Sequence, residues 1–215
     1  MAYDLEEQET LAELKAWWKK YGNWTLWAAI VVLAAYAAWM FWGNYQRRQS
    51  EQASHLYYEI QKAVQANDNA HVQRIATDVQ EKFGGTAYAA MASLLASRMA
   101  YELKDMDAAK RQLRWVADNG DGEGYRALAR LRLAGILFDE KAYAPALELL
   151  SAEVPEAFVS LVEDRKGDIL YAQNKMDEAK VAYETALKKA VADDPGKAVI
   201  RLKLEDLGVA APETE

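Results

Sequence analysis

The 215-residue chain has no cysteine and only two histidines, His55 and His71. A disulfide framework and a thiolate metal site are therefore excluded. Neither histidine has a metal-ligating partner three or four residues on, so a zinc site on a helix is excluded too. No G-x-S-x-G elbow and no phosphate-binding glycine loop occurs, and the closely spaced glycines do not follow a strand. The acidic run from Asp118 to Gly124 resembles a calcium loop, but its acids fall at offsets 1, 4 and 6. A calcium hand needs ligands at 1, 3 and 5, a Gly at 6 and a Glu at 12, so a flexible inter-helix turn is the better reading. Neither a catalytic constellation nor a cofactor fingerprint is left. Alternating strand patterns are absent, and the four prolines fall where helices start or where they are joined: Pro145 in a first turn, Pro155, Pro195 and Pro212 in connections.

Charge is also missing, in one place. The nineteen residues from Trp24 to Trp42 carry none, whereas the rest of the chain is richly charged. As a helix rising about 1.5 Å per residue this run covers roughly 28 Å, the thickness of a bilayer's hydrocarbon core. Trp24 and Trp27 stand at one end, Trp39 and Trp42 at the other, as indoles do at the two interfaces of a membrane. Ala35-Tyr36-Ala37 matches a signal-peptidase pattern. The apolar run nevertheless continues through Trp42, and the segment before it is long and acidic, so a retained anchor is expected. Lys15, Lys19 and Lys20 precede the run, and Arg47 and Arg48 follow it. This small bias puts residues 1–23 in the cytoplasm as a tail, residues 24–43 across the membrane and the body beyond it. Absence of cysteine is compatible with an oxidising compartment.

Of the net charge of −7, the tail carries −2 and the remainder −5. An acidic body argues against nucleic acid as partner and against a domain lying flat on anionic lipid. Beyond Gly43 apolar residues recur every three or four positions, so the body is expected to be all-α. Helices come in pairs. Lys104-Asp105-Met106-Asp107-Ala108-Ala109, Lys141-Ala142-Tyr143-Ala144-Pro145-Ala146 and Lys175-Met176-Asp177-Glu178-Ala179 each carry an aromatic or Met three residues before an Ala. The separations of Ala109, Ala146 and Ala179 are 37 and 33 residues, near the tetratricopeptide period of about 34. Ala134 and Gly167 lie twelve residues before Ala146 and Ala179, as small residues where two backbones cross. Pairs are expected over 87–117, 125–154 and 158–190, with a degenerate pair over 49–66 and 69–82. A capping helix is expected over 196–207. The fold class is one N-terminal transmembrane helix followed by a tetratricopeptide-like helical-hairpin solenoid over 44–207, with 208–215 a disordered C-terminal tail.

Such a stack presents a concave groove. The candidates for partner contact in it are Arg98, Tyr101, Arg126, Arg130, Asp164, Asp168 and Tyr171. The bland alternative for each is solvated charge or ordinary helix packing. Leu11, Leu14 and Trp18 form a stripe on the tail, suited either to the membrane interface or to a cytoplasmic partner.

Along nearly its whole length the chain resembles the YfgM family of single-span tetratricopeptide proteins. The carrying segments are Glu6-Glu7-Gln8, Leu14-Lys15-Ala16-Trp17-Trp18-Lys19-Lys20-Tyr21-Gly22, Ala53-Ser54-His55-Leu56-Tyr57, Ala129-Arg130-Leu131-Arg132-Leu133-Ala134, Lys166-Gly167-Asp168-Ile169-Leu170, Ala182-Tyr183 and Lys203-Leu204. The resemblance implies a non-catalytic ancillary subunit of the SecYEG translocon, with its N-terminus cytoplasmic and its body periplasmic. It also implies contact with the anchored chaperone PpiD and with emerging client proteins. Two further readings stay open: a membrane-bound sensor whose tail restrains a regulator, and an anchored subunit of another envelope assembly machine.

Overall fold

The computed structural model describes residues 2–191 and 193–208, with side chains from Glu9 onward. The expected C-terminal tail, apart from Gly208, lies outside the described residues, as does Pro212. Among the described residues there are nine helices and no strand: α1 (Ala2–Gln65), α2 (Asn69–Phe83), α3 (Ala87–Glu102), α4 (Met106–Asn119), α5 (Glu123–Asp139), α6 (Tyr143–Leu150), α7 (Glu156–Ala172), α8 (Met176–Lys189) and α9 (Gly196–Asp206). The expected all-α class is what the structure has. The chain divides into two compact units, residues 1–49 and 50–215.

The first unit is helical throughout its described part. Among the described residues α1 is the one helix long and apolar enough to cross a membrane, and none of its apolar window is buried by other parts of the protein. Trp24, Trp27, Trp39 and Trp42 are all more than half exposed. Aromatic rings meet at tilted angles along it: Trp17 beside Trp18 and Tyr21, Tyr36 beside Trp39, and Trp42 beside Tyr45. The Trp18 indole lies over Gly22, where an added Cβ would meet it at 3.0 Å.

The second unit is built of hairpins joined by one kind of turn. Asn67, Lys104, Lys141 and Asn174 all take the left-handed conformation, with φ of 55°, 64°, 60° and 60°. Each donates its N–H three residues back, to Val64, Tyr101, Phe138 and Tyr171 respectively. The next residue donates five back, to Ala63, Ala100, Leu137 and Leu170. This pairing satisfies the last carbonyls of the first helix and turns the chain directly into the second. Asp68 and Asp105 then cap the second helices by accepting from the N–H groups of His71 and Ala108.

Counting from the left-handed residue exposes the repeat. Seven residues before it stand Ile60, Ser97, Ala134 and Gly167; five after it stand Val72, Ala109, Ala146 and Ala179. All eight are buried. In the last three pairs one member of the couple is Ala and the other Ala, Ser or Gly, so the helices cross closely. In the first pair the couple is Ile60 and Val72. The sequence repeat is therefore faint there, although the backbone turn is the same. A glutamine network ties this first pair to the second. Gln112 of α4, only 7% exposed, donates to Gln73 of α2 (3.0 Å) and accepts from Gln80, which also donates to Ser93 of α3 (2.8 Å). Gln73 in turn donates to the Ala96 carbonyl at 2.9 Å.

At the other end α9 covers the stack, as a terminal element must. Ile200 and Leu204 bury against Ala179, Tyr183 and Ala186 of α8. At Gly167 the contact leaves no room, because an added Cβ would collide with the edge of the Tyr183 ring.

Two substitutions test this packing in opposite directions. Gly167→Leu should destabilise the second unit by about 1–3 kcal/mol through overpacking against Tyr183. Lys141→Gly should instead stabilise it, because a side chain held in the left-handed region costs about 1 kcal/mol. Thermal melts of the solubilised chain read both; equal melting temperatures for the two variants would contradict the assigned packing.

Candidate partner-binding groove

The first helices of successive pairs, α3, α5 and α7, line a cavity of about 580 Å³. Its walls include Ser97, Arg98 and Tyr101 from α3, Leu128, Leu131, Arg132, Gly135, Ile136 and Asp139 from α5, Leu113 from α4 and Arg165 from α7. Three arginines thus meet one carboxylate over an apolar floor. Arg98 is bonded to Glu102 at 2.8 Å, and Arg165 stands 3.8 Å from Asp168. Both Arg98 and Glu102 are more than half exposed, so that pair is weak and open to exchange. Arg132 has no carboxylate within ion-pair distance among the described residues.

The seven candidates from the sequence fall into three groups. Arg98 and Tyr101 line this cavity. Arg126 and Arg130 line a different, polar cleft with Glu123 and the α6–α7 connection, residues 152–156. There they fasten the turn before α5: Arg126 donates to the Gly120 carbonyl at 3.1 Å and Arg130 to the Ala117 carbonyl at 3.3 Å. Asp164, Asp168 and Tyr171 are engaged by α9. Lys203 lies 2.7 Å from both carboxylates and 5.3 Å from the centre of the Tyr183 ring, and Tyr171 donates to Asp206 at 2.8 Å. Tyr183 donates to Asp168 at 2.9 Å; burial first, and then the Asp168 charge, push its phenol well above the usual tyrosine range. The hydrogen bond to Asp206 raises the Tyr171 phenol as well.

The separation of these groups follows from helical register. Arg98, Gly135 and Asp168 each follow the small crossing residue by one; Leu131 and Asp164 precede theirs by three. Arg126 and Arg130 precede Ala134 by eight and four, which is another face of α5. The same count applied to α5 would have found Leu131 and Gly135, which the sequence reading missed. Gly135 differs from Gly167 in one respect: nothing lies within 4 Å of where its Cβ would be. Packing does not require a glycine there, yet a glycine within a helix costs roughly 0.5–1 kcal/mol relative to alanine.

Among the described residues no three metal-ligating side chains come together. The arrangement can hold a segment of another chain by apolar contact and charge.

A family described as Tetratricopeptide repeat-like domain matches residues 15–209, which takes in the aromatic–lysine segment and the apolar run as well as the helical hairpins. A protein of Neisseria gonorrhoeae named ancillary SecYEG translocon subunit is 32% identical over 96% of this chain and 100% of its own length. Its namesake in Haemophilus influenzae is 31% identical over 86% of this chain and 91% of its own. A third, from Aggregatibacter actinomycetemcomitans, is 26% identical over 96% of this chain and 100% of its own. No solved structure matches the chain.

Gly135→Ala should raise the stability of the second unit by about 0.5–1 kcal/mol, since it removes backbone freedom from the unfolded chain and meets no neighbour. A thermal melt checks this. A loss of stability would mean that the cavity floor is already closed by the protein's own packing.

Proposed function

The chain belongs to the tetratricopeptide repeat-like family whose curated members carry the name ancillary SecYEG translocon subunit, and from that membership we propose that it is a non-catalytic, membrane-anchored scaffold at the translocon. The observation that carries this reading is the continuity of the family match through residues 15–209. The matches to the relatives extend over 86–96% of this chain and 91–100% of their own lengths. An anchor and a partner-binding stack are the two parts that such a subunit needs.

In this proposal residues 24–43 cross the inner membrane, residues 1–23 stay in the cytoplasm and residues 44–207 lie in the periplasm. The stack receives an anchored chaperone of the PpiD type and links emerging proteins to periplasmic chaperones. Arg98 and Tyr101 act in the groove. Arg126 and Arg130 contribute by holding the turn before α5, and Asp164, Asp168 and Tyr171 by seating α9. Anchoring makes modest groove affinity sufficient, because a body confined to the membrane surface meets its partner at high effective concentration.

Full-length protein solubilised in mild detergent should retain SecYEG and PpiD. Protease added to spheroplasts should digest the body and spare the N-terminal segment. Full-length protein that retained neither partner, under conditions that keep the translocon intact, would refute the proposal. Recovery of a response regulator or of outer-membrane machinery would favour the sensor or the assembly-machine reading instead.

A further inference from the structure

We propose that α1 bends at Gly22 in the membrane and lays residues 10–21 along the bilayer surface, with Leu11, Leu14, Trp18 and Tyr21 sunk among the phospholipid headgroups. This rests on the membrane crossing in the scaffold reading and commits the stripe to lipid rather than to a soluble protein.

Leu11, Leu14, Trp17, Trp18 and Tyr21 are each 43–61% exposed. They recur at spacings of three and four and so share one side of the helix. Leu14, Trp17 and Trp18 border an open hollow together with Lys15 and Lys19. Charges are sorted about this side. Lys15 and Lys19 stand at its edge, where their ammonium groups can meet lipid phosphates while their stems cover apolar surface. Glu9, Glu13 and Lys20 share the opposite side, with the Lys20 ammonium 5.2 Å from the centre of the Tyr21 ring. Asp4, Glu6 and Glu7 come before the stripe and set its outer limit. An apolar, aromatic side bordered by lysines is the make-up of a helix lying in the interface plane, and here it is continuous with the run that crosses the membrane.

A straight helix cannot place the stripe there. Leu11 precedes Trp24 by thirteen residues, about 20 Å at helical rise. Headgroups add only roughly 5–8 Å on each side of the hydrocarbon core. A straight α1 would therefore carry Leu11 and Leu14 through that layer into water, and a tilt of about 20° changes this little. Three features mark Gly22 as the bend. Glycine weakens a helix interior. The Thr25 hydroxyl donates to the Gly22 carbonyl at 2.9 Å, a back-bond of the kind that bends helices. Gly22 also lies on the side of the stripe, so its missing side chain falls on the inside of the bend. The Trp18 indole occupies that space, and Gly22 alone is buried between Glu9 and Arg48.

Because the chain has no cysteine, single cysteines can be spin-labelled in the full-length protein. Leu11→Cys, Leu14→Cys, Ala16→Cys and Val32→Cys are each reconstituted in vesicles of phosphatidylethanolamine and phosphatidylglycerol. Paramagnetic resonance then reads access to oxygen and to a water-soluble nickel chelate. Labels at 11 and 14 should be open to oxygen, shielded from the chelate and at a common depth. The label at 16, on the opposite side, should be open to the chelate. Gly22→Leu with Thr25→Val should straighten α1 and strip position 11 of its shielding. Equal chelate access at 11 and 16 overturns the inference and returns the stripe to a soluble partner. Shielding at 11 that survives the double substitution overturns the bend. Position 32 reads the crossing separately: a label deep in lipid there, with 11 in water, overturns this inference alone, whereas 32 in water overturns the anchor on which the scaffold reading rests.

Discussion

Four residues that are not glycine, Asn67, Lys104, Lys141 and Asn174, hold the left-handed conformation at the tip of every helical hairpin. Each donates its N–H three residues back and the residue after it donates five back; together the two bonds close the first helix and aim the second along it. Everything else in the second unit is measured from that residue. The small crossing positions lie at fixed counts on either side of it, and so do the groove positions on the first helices. The strain of a side chain at positive φ, about 1 kcal/mol per turn, is offset by packing that the turn alone makes possible.

Two glycines on equivalent helices show how packing fills one face and leaves another open. Gly167 faces inward, and the Tyr183 ring fills the space its missing side chain leaves. Gly135 stands one position further round its helix relative to its crossing residue, and the space beside it is empty. One serves the approach of two helices within a pair. The other keeps the face between pairs clear. α9 packs on α8: Ile200 and Leu204 bury against Ala179, Tyr183 and Ala186, while Lys203 and Asp206 reach polar groups of α7.

Much of this was legible in the sequence. The all-α class, the last three pairs, the capping helix and the roles of Ala134 and Gly167 follow from spacing alone, because small residues at a fixed count from a turn leave a strong trace. The first pair left little trace, since Ile60 and Val72 stand at the crossing and only the backbone turn keeps the pattern. Gln73, Gln80 and Gln112 left no trace in the sequence, because the bonds that join them run between three helices and no local pattern encodes such a network. Counting from the crossing positions placed Arg126 and Arg130 in the groove, yet offsets of eight and four residues before Ala134 turn a side chain to another face. For the same reason Leu131 and Gly135, uncharged and unremarkable in sequence, went unnoticed at the centre of the cavity.

The central claim is that the face of α3 and α5 around Gly135 is where the anchored body meets its partner. The most direct measurement is photocrosslinking in intact membranes, with a photoreactive side chain placed in turn at Tyr101, Arg132, Arg126 and Arg130. The account predicts crosslinks to one translocon-associated protein from positions 101 and 132 and none to it from 126 and 130. Crosslinks to that protein from 126 and 130 alone would contradict it.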